Sequence, residues 1–263
     1  MGQAPGIGHH LRSWRQRRRM SQLDLACEAD ISTRHVSFLE TGRSRPSRDM
    51  VLHLAERLDV PLRERNVLLV AAGFAPVFPE RPLDDPMLAT ARAAVDLVLA
   101  AHEPYPALAV DRHWTLIAAN KASARVMGGI SPELSKPPVN VLRIALHPEG
   151  LARRTANFAE WRGDLLARLR RQVDMTGDPT LAALYDELAA YPAPHPTSPP
   201  PMPNPNAVAI PFRLLTDSGV LSFLSTITVF GTPVDVTVSE VAIETFLPAD
   251  RETAEALRRM AAG

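Results

Sequence analysis

Two helix-start signals within residues 20–47 limit what the first part of this chain can fold into. The stretch reads MSQLDLACEADISTRHVSFLETGRSRPS. Ser21 is followed by Asp24 at the spacing of a capping box, and Ser32 is placed to cap a second helix. Gly42 lies just after that second helix, where a left-handed glycine is common. The pattern therefore predicts two short helices joined by a tight turn.

Three further helical patterns surround this pair. The residues predicted to face inward on them are Ile7, Leu11, Trp14, Val51, Leu54, Ala55 and Leu58. Their spacing is that of one face of a helix. The fourth helix is predicted to open at Pro46–Ser47, and the fifth to run from Pro61 to Gly73. Residues 1–75 thus predict a five-helix domain that contains a helix-turn-helix.

The charge is distributed unevenly, although the chain is neutral overall. Residues 1–75 contain twelve arginines against eight acidic residues, and five of these arginines fall between Arg12 and Arg19. Such asymmetry suggests that only the first domain meets a polyanion. A solvated helix face remains the alternative for the arginine run, and a helical protein–protein module remains the alternative for the domain.

The segment quoted above resembles the lambda-repressor-like, Xre-type DNA-binding domain, over about residues 8–73. The positions that carry the resemblance are Gln22, Ala26, Ile31, Val36, Leu39, Glu40 and Gly42. The resemblance implies that the second helix of the pair enters the major groove of double-stranded operator DNA, with its N-terminal residues at the base edges.

The resemblance also assigns roles within this domain. The predicted DNA-binding residues are Gln22, Thr33, Arg34, Ser37, Phe38, Arg43 and Arg45. Arg34 would fork onto a guanine and Phe38 would touch a thymine methyl group, whereas Arg43 and Arg45 would contact phosphates.

Gln22 and Glu40 are also predicted to brace this domain. By the same resemblance, Gln22 would bond a phosphate and brace the reading helix. Glu40 would turn inward and pair with an arginine of the first helix, for which Arg15 is the predicted partner.

The second part of the chain changes pattern after a linker. Residues 74–90 are rich in proline and charge, and residues 76–104 are assigned to a linker and a connecting helix. Two strands are then predicted around a turn at 111–113, and Asn120 is predicted to cap the helix that follows. A strand pair leading through an Asn-capped helix resembles the start of a PAS domain.

The remaining patterns complete an α+β domain. Residues 139–191 are predicted to be helical, and nine prolines between Pro192 and Pro211 predict a polyproline-rich surface loop. Three strands are predicted over 208–215, 219–230 and 234–248. The expected fold is multi-domain α plus α/β, with an antiparallel five-stranded sheet covered by helices on one face over 105–250 and a C-terminal helix over 251–263.

This second domain resembles the ligand-binding domain of the MmyB-like transcription regulators over about 105–250. The segments that carry the resemblance are NVLRIALHPEGLARRTANFAEW and LSFLSTITVFGTPVDVTVSEVAIETFLPAD. The resemblance implies a PAS-like domain and a fatty-acid-like ligand, and the tandem with an Xre-type domain is the layout of that family. The long proline loop is a departure from the family pattern.

A PAS-like domain of this kind would enclose a mostly apolar pocket. The candidate ligand-binding residues are Arg143, His147, Trp161, Phe158, Trp114 and Phe223. Arg143 and His147 are four residues apart and would share a helix face, where the arginine would clamp a ligand carboxylate. The alternatives are a salt bridge of this pair to Glu149 or a cap for the next helix, and plain core packing for the aromatic residues.

Several classes of function find no pattern here. The single Cys27 excludes a disulfide framework and a multi-cysteine zinc site, and the histidines are isolated, so neither a metal nor heme is expected. A Ser–Lys self-cleaving peptidase would need a suitable lysine, but Lys121 and Lys136 are not in such a context. No apolar run is long enough for a membrane span and no secretory signal is evident, which predicts a cytoplasmic protein, associated with the nucleoid when bound to DNA.

These expectations combine into a two-domain regulator that is not an enzyme. It would bind operator DNA as a homodimer and a small amphipathic ligand in its second domain. The alternative is a constitutive DNA binder whose second domain only dimerises or binds a protein partner.

Overall fold

The computed structural model describes residues 6–194, 209–217 and 219–262. The chain forms two compact units. The first comprises the residues up to Pro82 together with 174–176 and 232–239, and the second comprises the remainder. The segment read as a linker is therefore divided, since 76–82 group with the first unit and 83–104 with the second. Most of the predicted proline loop lies outside the described residues.

Five helices make up the N-terminal part of the first unit. They are α1 (Ile7–Arg17), α2 (Gln22–Glu28), α3 (Thr33–Glu40), α4 (Arg48–Arg57) and α5 (Leu62–Ala71). Ser21 and Asp24 form a complete capping box at α2, and the Ser32 hydroxyl accepts a hydrogen bond from the amide of His35 at 3.1 Å. Gly42 ends α3 with a φ of +73°. The predicted five-helix domain with a helix-turn-helix is confirmed.

The five helices enclose one apolar core. Its buried residues include Leu11, Trp14, Leu25, Val36, Leu39, Val51, Leu54 and Leu68. At Gly8 the backbone of α1 closely approaches the end of α3, because a Cβ atom there would lie 2.5 Å from the carbonyl oxygen of Glu40 and 2.6 Å from that of Leu39. This contact sets the position of α1 against the C-terminus of α3.

The second unit contains the sheet and most of the remaining helices. The strands are β1 (Ala107–Val110), β2 (Leu116–Ala119), β3 (Phe212–Thr216), β4 (Gly219–Val229) and β5 (Ala242–Pro248). The helices after α5 are α6 (Ala89–Ala101), α7 (Lys121–Val126), α8 (Val141–Leu146), α9 (Phe158–Thr176), α10 (Pro179–Ala190), α11 (Val236–Ser239) and α12 (Arg251–Ala262), of which α11 belongs to the first unit. All strand pairs are antiparallel in the order β2-β1-β5-β4-β3, which confirms the five-stranded antiparallel sheet.

The prediction of one continuous strand over 234–248 is wrong in its first half. Residues Val236–Ser239 form α11, and β5 begins only at Ala242. The side-chain carboxylate of Asp235 accepts a hydrogen bond from the Thr237 amide at 2.9 Å. The backbone carbonyl oxygen of Asp235 accepts one from the Ser239 amide at 3.0 Å. This local capping overrides the strand preference of valine and threonine.

The prediction that helices cover one face of the sheet is incomplete at β1, which is covered on both faces. Leu108 and Val110 of β1 join the main core on one face, whereas Ala107 and Ala109 join a second apolar cluster on the other face, with Val95 and Leu99 of α6. Because alternate residues of a strand point to opposite faces, β1 is buried on both sides. The main core, on the face opposite α6, is where the cavity described below lies.

Asn120 caps α7 as predicted and also links this helix to the sheet. Its Oδ1 accepts hydrogen bonds from the amides of Ser123 at 3.0 Å and Ala107 at 3.1 Å. Its Nδ2 donates to the carbonyl oxygen of Tyr105 at 2.8 Å. None of the helices within the described residues is long and apolar enough to span a lipid bilayer.

Candidate functional site

The outward face of α3 brings several of the predicted DNA-binding side chains together. Arg34 is exposed, and Thr33, Ser37 and Phe38 are partly exposed. The guanidinium carbon of Arg34 lies 5.1 Å from the centre of the Phe38 ring, and that of Arg43 lies 5.9 Å from it. Two cations therefore share one aromatic ring on this surface. Their contacts with bases stay a prediction.

The loop after α3 folds back onto the end of this helix. The amides of Arg43 and Ser44 both donate to the carbonyl oxygen of Phe38, at 2.9 and 3.1 Å. The side chains of Arg43 and Arg45 are exposed. This arrangement leaves both guanidinium groups able to reach a polyanion, although phosphate contact stays a prediction.

Glu40 joins three helices through its carboxylate. It accepts hydrogen bonds from Arg15, Nε to Oε1 at 2.6 Å and Nη2 to Oε2 at 2.9 Å, and from Nε2 of Gln22 at 2.8 Å. The Glu40 side chain is only 3% exposed. Burial raises the pKa of this carboxyl, but the hydrogen bonds from Arg15 and Gln22 outweigh it, so the pKa lies below its usual value. The predicted Arg15–Glu40 pair is confirmed, and Gln22 is placed to brace α3, whereas its phosphate contact stays a prediction.

The arginine run of α1 divides by role. Arg15 is used by Glu40, and Arg18 donates to the carbonyl oxygens of Leu58 and Asp59 at the end of α4, at 2.8 and 2.7 Å. The remaining members of the run, Arg12, Arg17 and Arg19, are exposed. Part of the run is therefore structural, and the rest is a solvated cationic surface.

A mostly apolar cavity lies between the inner face of the sheet and the helices of the second unit. It encloses about 630 Å³, counting the part that is open to solvent. Trp161 and Phe223 line it, as predicted for two of the candidate ligand contacts. Phe158 and Trp114 are buried in the same core but do not line the cavity. Arg143 and His147 are also absent from its lining.

The cavity lining includes one ion pair. Nη1 and Nη2 of Arg168 lie 3.2 and 3.3 Å from Oε1 of Glu244, and the hydroxyl of Ser225 donates to the same oxygen at 2.5 Å. Glu244 is 4% exposed. The Arg168 guanidinium carbon lies 4.9 Å from the centre of the Trp114 ring. Trp114 therefore contacts the guanidinium group of the ion pair through its ring and does not line the cavity.

Arg143 and His147 do not share a helix face, so that premise of their pairing is wrong. Helix α8 ends at Leu146, and His147 is extended with a ψ of 141°. A residue before a proline is driven out of the helical region, and Pro148 follows here. Arg143 forms a two-pronged pair with Glu187 at 2.8 and 2.7 Å. Because this guanidinium is occupied outside the cavity, its role as a carboxylate clamp has no support from the cavity.

The Arg143 pair belongs to a small polar cluster with Tyr191. The Tyr191 hydroxyl donates to Glu187 at 2.5 Å, and the rings of His147 and Tyr191 meet edge to face with their centres 5.0 Å apart. Burial and the bond to Glu187 raise the pKa of Tyr191 to about 12. The alternative of an ion pair for Arg143 is thus the one observed, with Glu187 in place of Glu149 as the partner.

Comparison with known proteins identifies both domains. Residues 91–260 match the family model of the MmyB-like transcription regulator ligand binding domain, and residues 7–68 match that of a helix-turn-helix domain. The chain belongs to the MmyB-like transcription regulators. Both families are DNA-binding or ligand-binding domains of regulators rather than enzymes.

Other comparisons add little about this MmyB-like regulator. No curated protein matches it. A solved structure titled "Structure of an RNA-binding Light-Oxygen-Voltage Receptor" covers 98% of this chain at 17% identity with a TM-score of 0.26. The match spans 63% of that receptor, less than two thirds of its length. A likeness this weak carries no argument about fold or function.

The polar residues of the cavity were not among those predicted for this MmyB-like regulator. Arg168 lies beside Leu165 and Leu169 on the buried side of α9. Glu244 lies between Ala242 and Phe246 on the inner face of β5, at every second position of the strand. A charged residue within an apolar stripe was the available signal, because such a residue needs a buried partner. No cluster of three or more metal-ligating side chains occurs within residues 6–194, 209–217 and 219–262.

Proposed function

We propose that this MmyB-like regulator binds operator DNA through α3 and holds a small amphipathic, fatty-acid-like ligand in the cavity of its second unit. The observation that carries the ligand part is an apolar cavity with one ion pair in its lining. An apolar wall accepts a hydrocarbon chain by removing its surface from water, and a few polar groups orient the other end. The protein would work in the cytoplasm, at the nucleoid.

The DNA part of the proposal rests on the family and on the surface of α3. Arg34 and Phe38 would read bases in the major groove, and Arg43 and Arg45 would contact phosphates. A homodimer would place two such helices on an inverted repeat, with half-sites about one helical turn apart.

The ligand would act by favouring one arrangement of the DNA-binding domains over another. A ligand shifts such an equilibrium only through different affinities for the two states. The strand order β2-β1-β5-β4-β3, with helices over the cavity, supports a PAS-like sensor for this purpose.

Extraction of the purified protein with organic solvent, followed by mass spectrometry, tests the ligand proposal. We expect an acyl or similar amphipathic compound to be recovered, and operator affinity to differ between the stripped and the reloaded protein.

A matched pair of variants makes this test specific to the cavity. Ala145 lines the cavity, so Ala145→Phe would fill it, whereas Ala167→Phe adds the same ring at an exposed position of α9. We expect only Ala145→Phe to lose the compound. Equal recovery from both variants would place the compound elsewhere.

The constitutive alternative is favoured by an exposed apolar patch. Leu215, Val220, Leu224 and Leu247 lie on the outer face of β3, β4 and β5, and each is at least 36% exposed. A patch of this kind suits a second copy or a protein partner. An empty cavity, together with operator binding that no acyl compound alters, would support this alternative over the ligand proposal.

A further inference from the structure

We propose that the polar end of the ligand is an uncharged hydrogen-bond donor, such as a hydroxyl group, that donates to Oε2 of Glu244. This inference rests on the proposed ligand function of the cavity and narrows the fatty-acid-like ligand to an amphipathic compound whose head group is uncharged. It assigns Arg168, Glu244 and Ser225 to one polar subsite, defined here as the head-group subsite.

The hydrogen bonds to Glu244 are concentrated on one of its two oxygens. Arg168 contributes two of them and Ser225 the third, and all three end on Oε1. No donor reaches Oε2 among the residues that the structure describes. Glu244 lines the cavity, and only 4% of its surface is exposed. Because Glu244 lines the cavity, this oxygen is available to a donor that a ligand supplies, and a hydrogen bond to an ionised carboxylate is stronger than one between neutral groups.

The Arg168–Glu244 pair differs in this respect from the Arg143–Glu187 pair of the same unit. Arg143 meets both oxygens of Glu187, Nε to Oε1 and Nη2 to Oε2. Arg168 uses only its two terminal nitrogens on one oxygen, and its buried Nε has no hydrogen-bond partner in the described part of the chain. The head-group subsite therefore has an acceptor and a donor that the protein itself does not satisfy.

The charge of the subsite argues against an anionic head group. The guanidinium of Arg168 and the carboxylate of Glu244 balance each other, and the rest of the cavity lining is uncharged. A ligand carboxylate would bring a second negative charge next to Glu244 with no second cation to balance it. Both repulsion and desolvation would oppose this. A hydroxyl group carries no net charge and can both donate to Oε2 and accept a hydrogen bond.

The decisive measurement compares three probes of equal chain length on the full chain. The probes are 1-decanol, decanoate at a pH well above the pKa of a fatty acid, and decyl methyl ether, which lacks the donor. Dissociation constants are measured by displacement of the uncharged dye Nile red. We expect 1-decanol to bind at least about tenfold more tightly than decanoate and severalfold more tightly than the ether.

Glu244→Gln tests the role of charge directly. This variant removes the negative charge and leaves Arg168 as the only charged side chain of the subsite, so decanoate should gain at least about tenfold in affinity relative to 1-decanol. Glu252→Gln removes the same charge from an exposed position of α12 and should leave the ratio of the two affinities unchanged. If Glu244→Gln does not fold, the three probes on the unmodified protein still decide the question.

Each outcome bears on a distinct statement. Equal or tighter binding of decanoate to the unmodified protein would overturn the inference about charge, and equal binding of the ether and the alcohol would overturn the donor. Both of those results would leave the proposed ligand function standing. Failure of all three probes to displace the dye would instead refute the cavity as a ligand site, and the inference with it.

Discussion

Replacing Arg15 by alanine is expected to destabilise the DNA-binding domain strongly without touching its DNA-facing surface. The change would leave the Glu40 carboxylate buried, with Gln22 as its remaining side-chain donor. Removing one partner of a buried ion pair costs about 3–5 kcal/mol. We expect a value near the lower limit, about 3 kcal/mol, because Gln22 keeps one hydrogen bond to the carboxylate.

Hydrogen exchange of the full chain, read by mass spectrometry, is the suitable assay. Peptides from α1 and α3 report the stability of this domain alone, whereas whole-chain denaturation would mix it with that of the second unit. A loss of about 3 kcal/mol corresponds to about a hundredfold faster exchange of the best-protected amides. Peptides from β4 and β5 should exchange as before.

A matched control lies two residues further along the same helix. Arg17 is exposed and stacks on Trp14 at 5.3 Å, so Arg17→Ala should cost less than about 1 kcal/mol. Combining Arg15→Met with Glu40→Leu should recover most of the loss, because no buried charge then lacks a partner. If Arg15→Ala accelerates exchange no more than Arg17→Ala does, the ion pair does not hold these helices together.

The same pair makes the stability of this domain depend on pH. Since the folded-state pKa of Glu40 lies below its usual value, the unfolded chain takes up the proton at a higher pH than the folded chain. The contribution of Glu40 is therefore complete above the usual carboxyl pKa and is lost as the pH falls through the folded value. Glu40→Gln should flatten this acid dependence in the exchange of α1 and α3, and an unchanged profile would contradict the assignment.

Three further predictions follow from the structure. Gly8→Ala should destabilise the first domain by about 2 kcal/mol because its methyl group meets backbone carbonyls, whereas Gly163→Ala, which has open space, should be neutral or stabilising in thermal unfolding. Arg34→Ala should relax sequence preference in a binding-site selection, while Arg45→Ala should weaken binding to all sequences and reduce the salt slope by about 1. Arg143→Ala should lower the free energy of unfolding by less than about 1 kcal/mol and leave the affinity for 1-decanol unchanged. A large loss of that affinity would show that Arg143 contributes to the ligand site.

Local signals were sufficient for the DNA-binding domain. The serine caps and the glycine after α3 lie within a few residues of the helices that they delimit. The ends of these helices can therefore be predicted from the local sequence. The Arg15–Glu40 pair spans 25 residues and was predicted from the resemblance, not from spacing. Only a known family geometry could have brought these two residues together in advance.

The cavity shows where such prediction stops. Arg168 and Glu244 are 76 residues apart, on a helix and a strand, and Arg143 finds Glu187 at a separation of 44. Of the candidate ligand residues chosen by type and local spacing, two line the cavity, two are core residues behind it and two belong to a separate polar cluster. The partner of a charged side chain depends on how distant elements pack, and periodicity carries no information on that.

The amino-acid sequence by itself determined the helix starts and stops, the alternation of the strands and the separation into a cationic helical domain and an α+β domain. These follow from capping, backbone preference and apolar periodicity, which act over a few residues. Only the tertiary structure decided that α6 packs over β1 on the second face of the sheet, that Glu40 is shared by three helices and that Arg168 and Glu244 meet in an apolar cavity. Those outcomes depend on which surfaces are buried against each other, because a buried charge is stable only where packing supplies its partner.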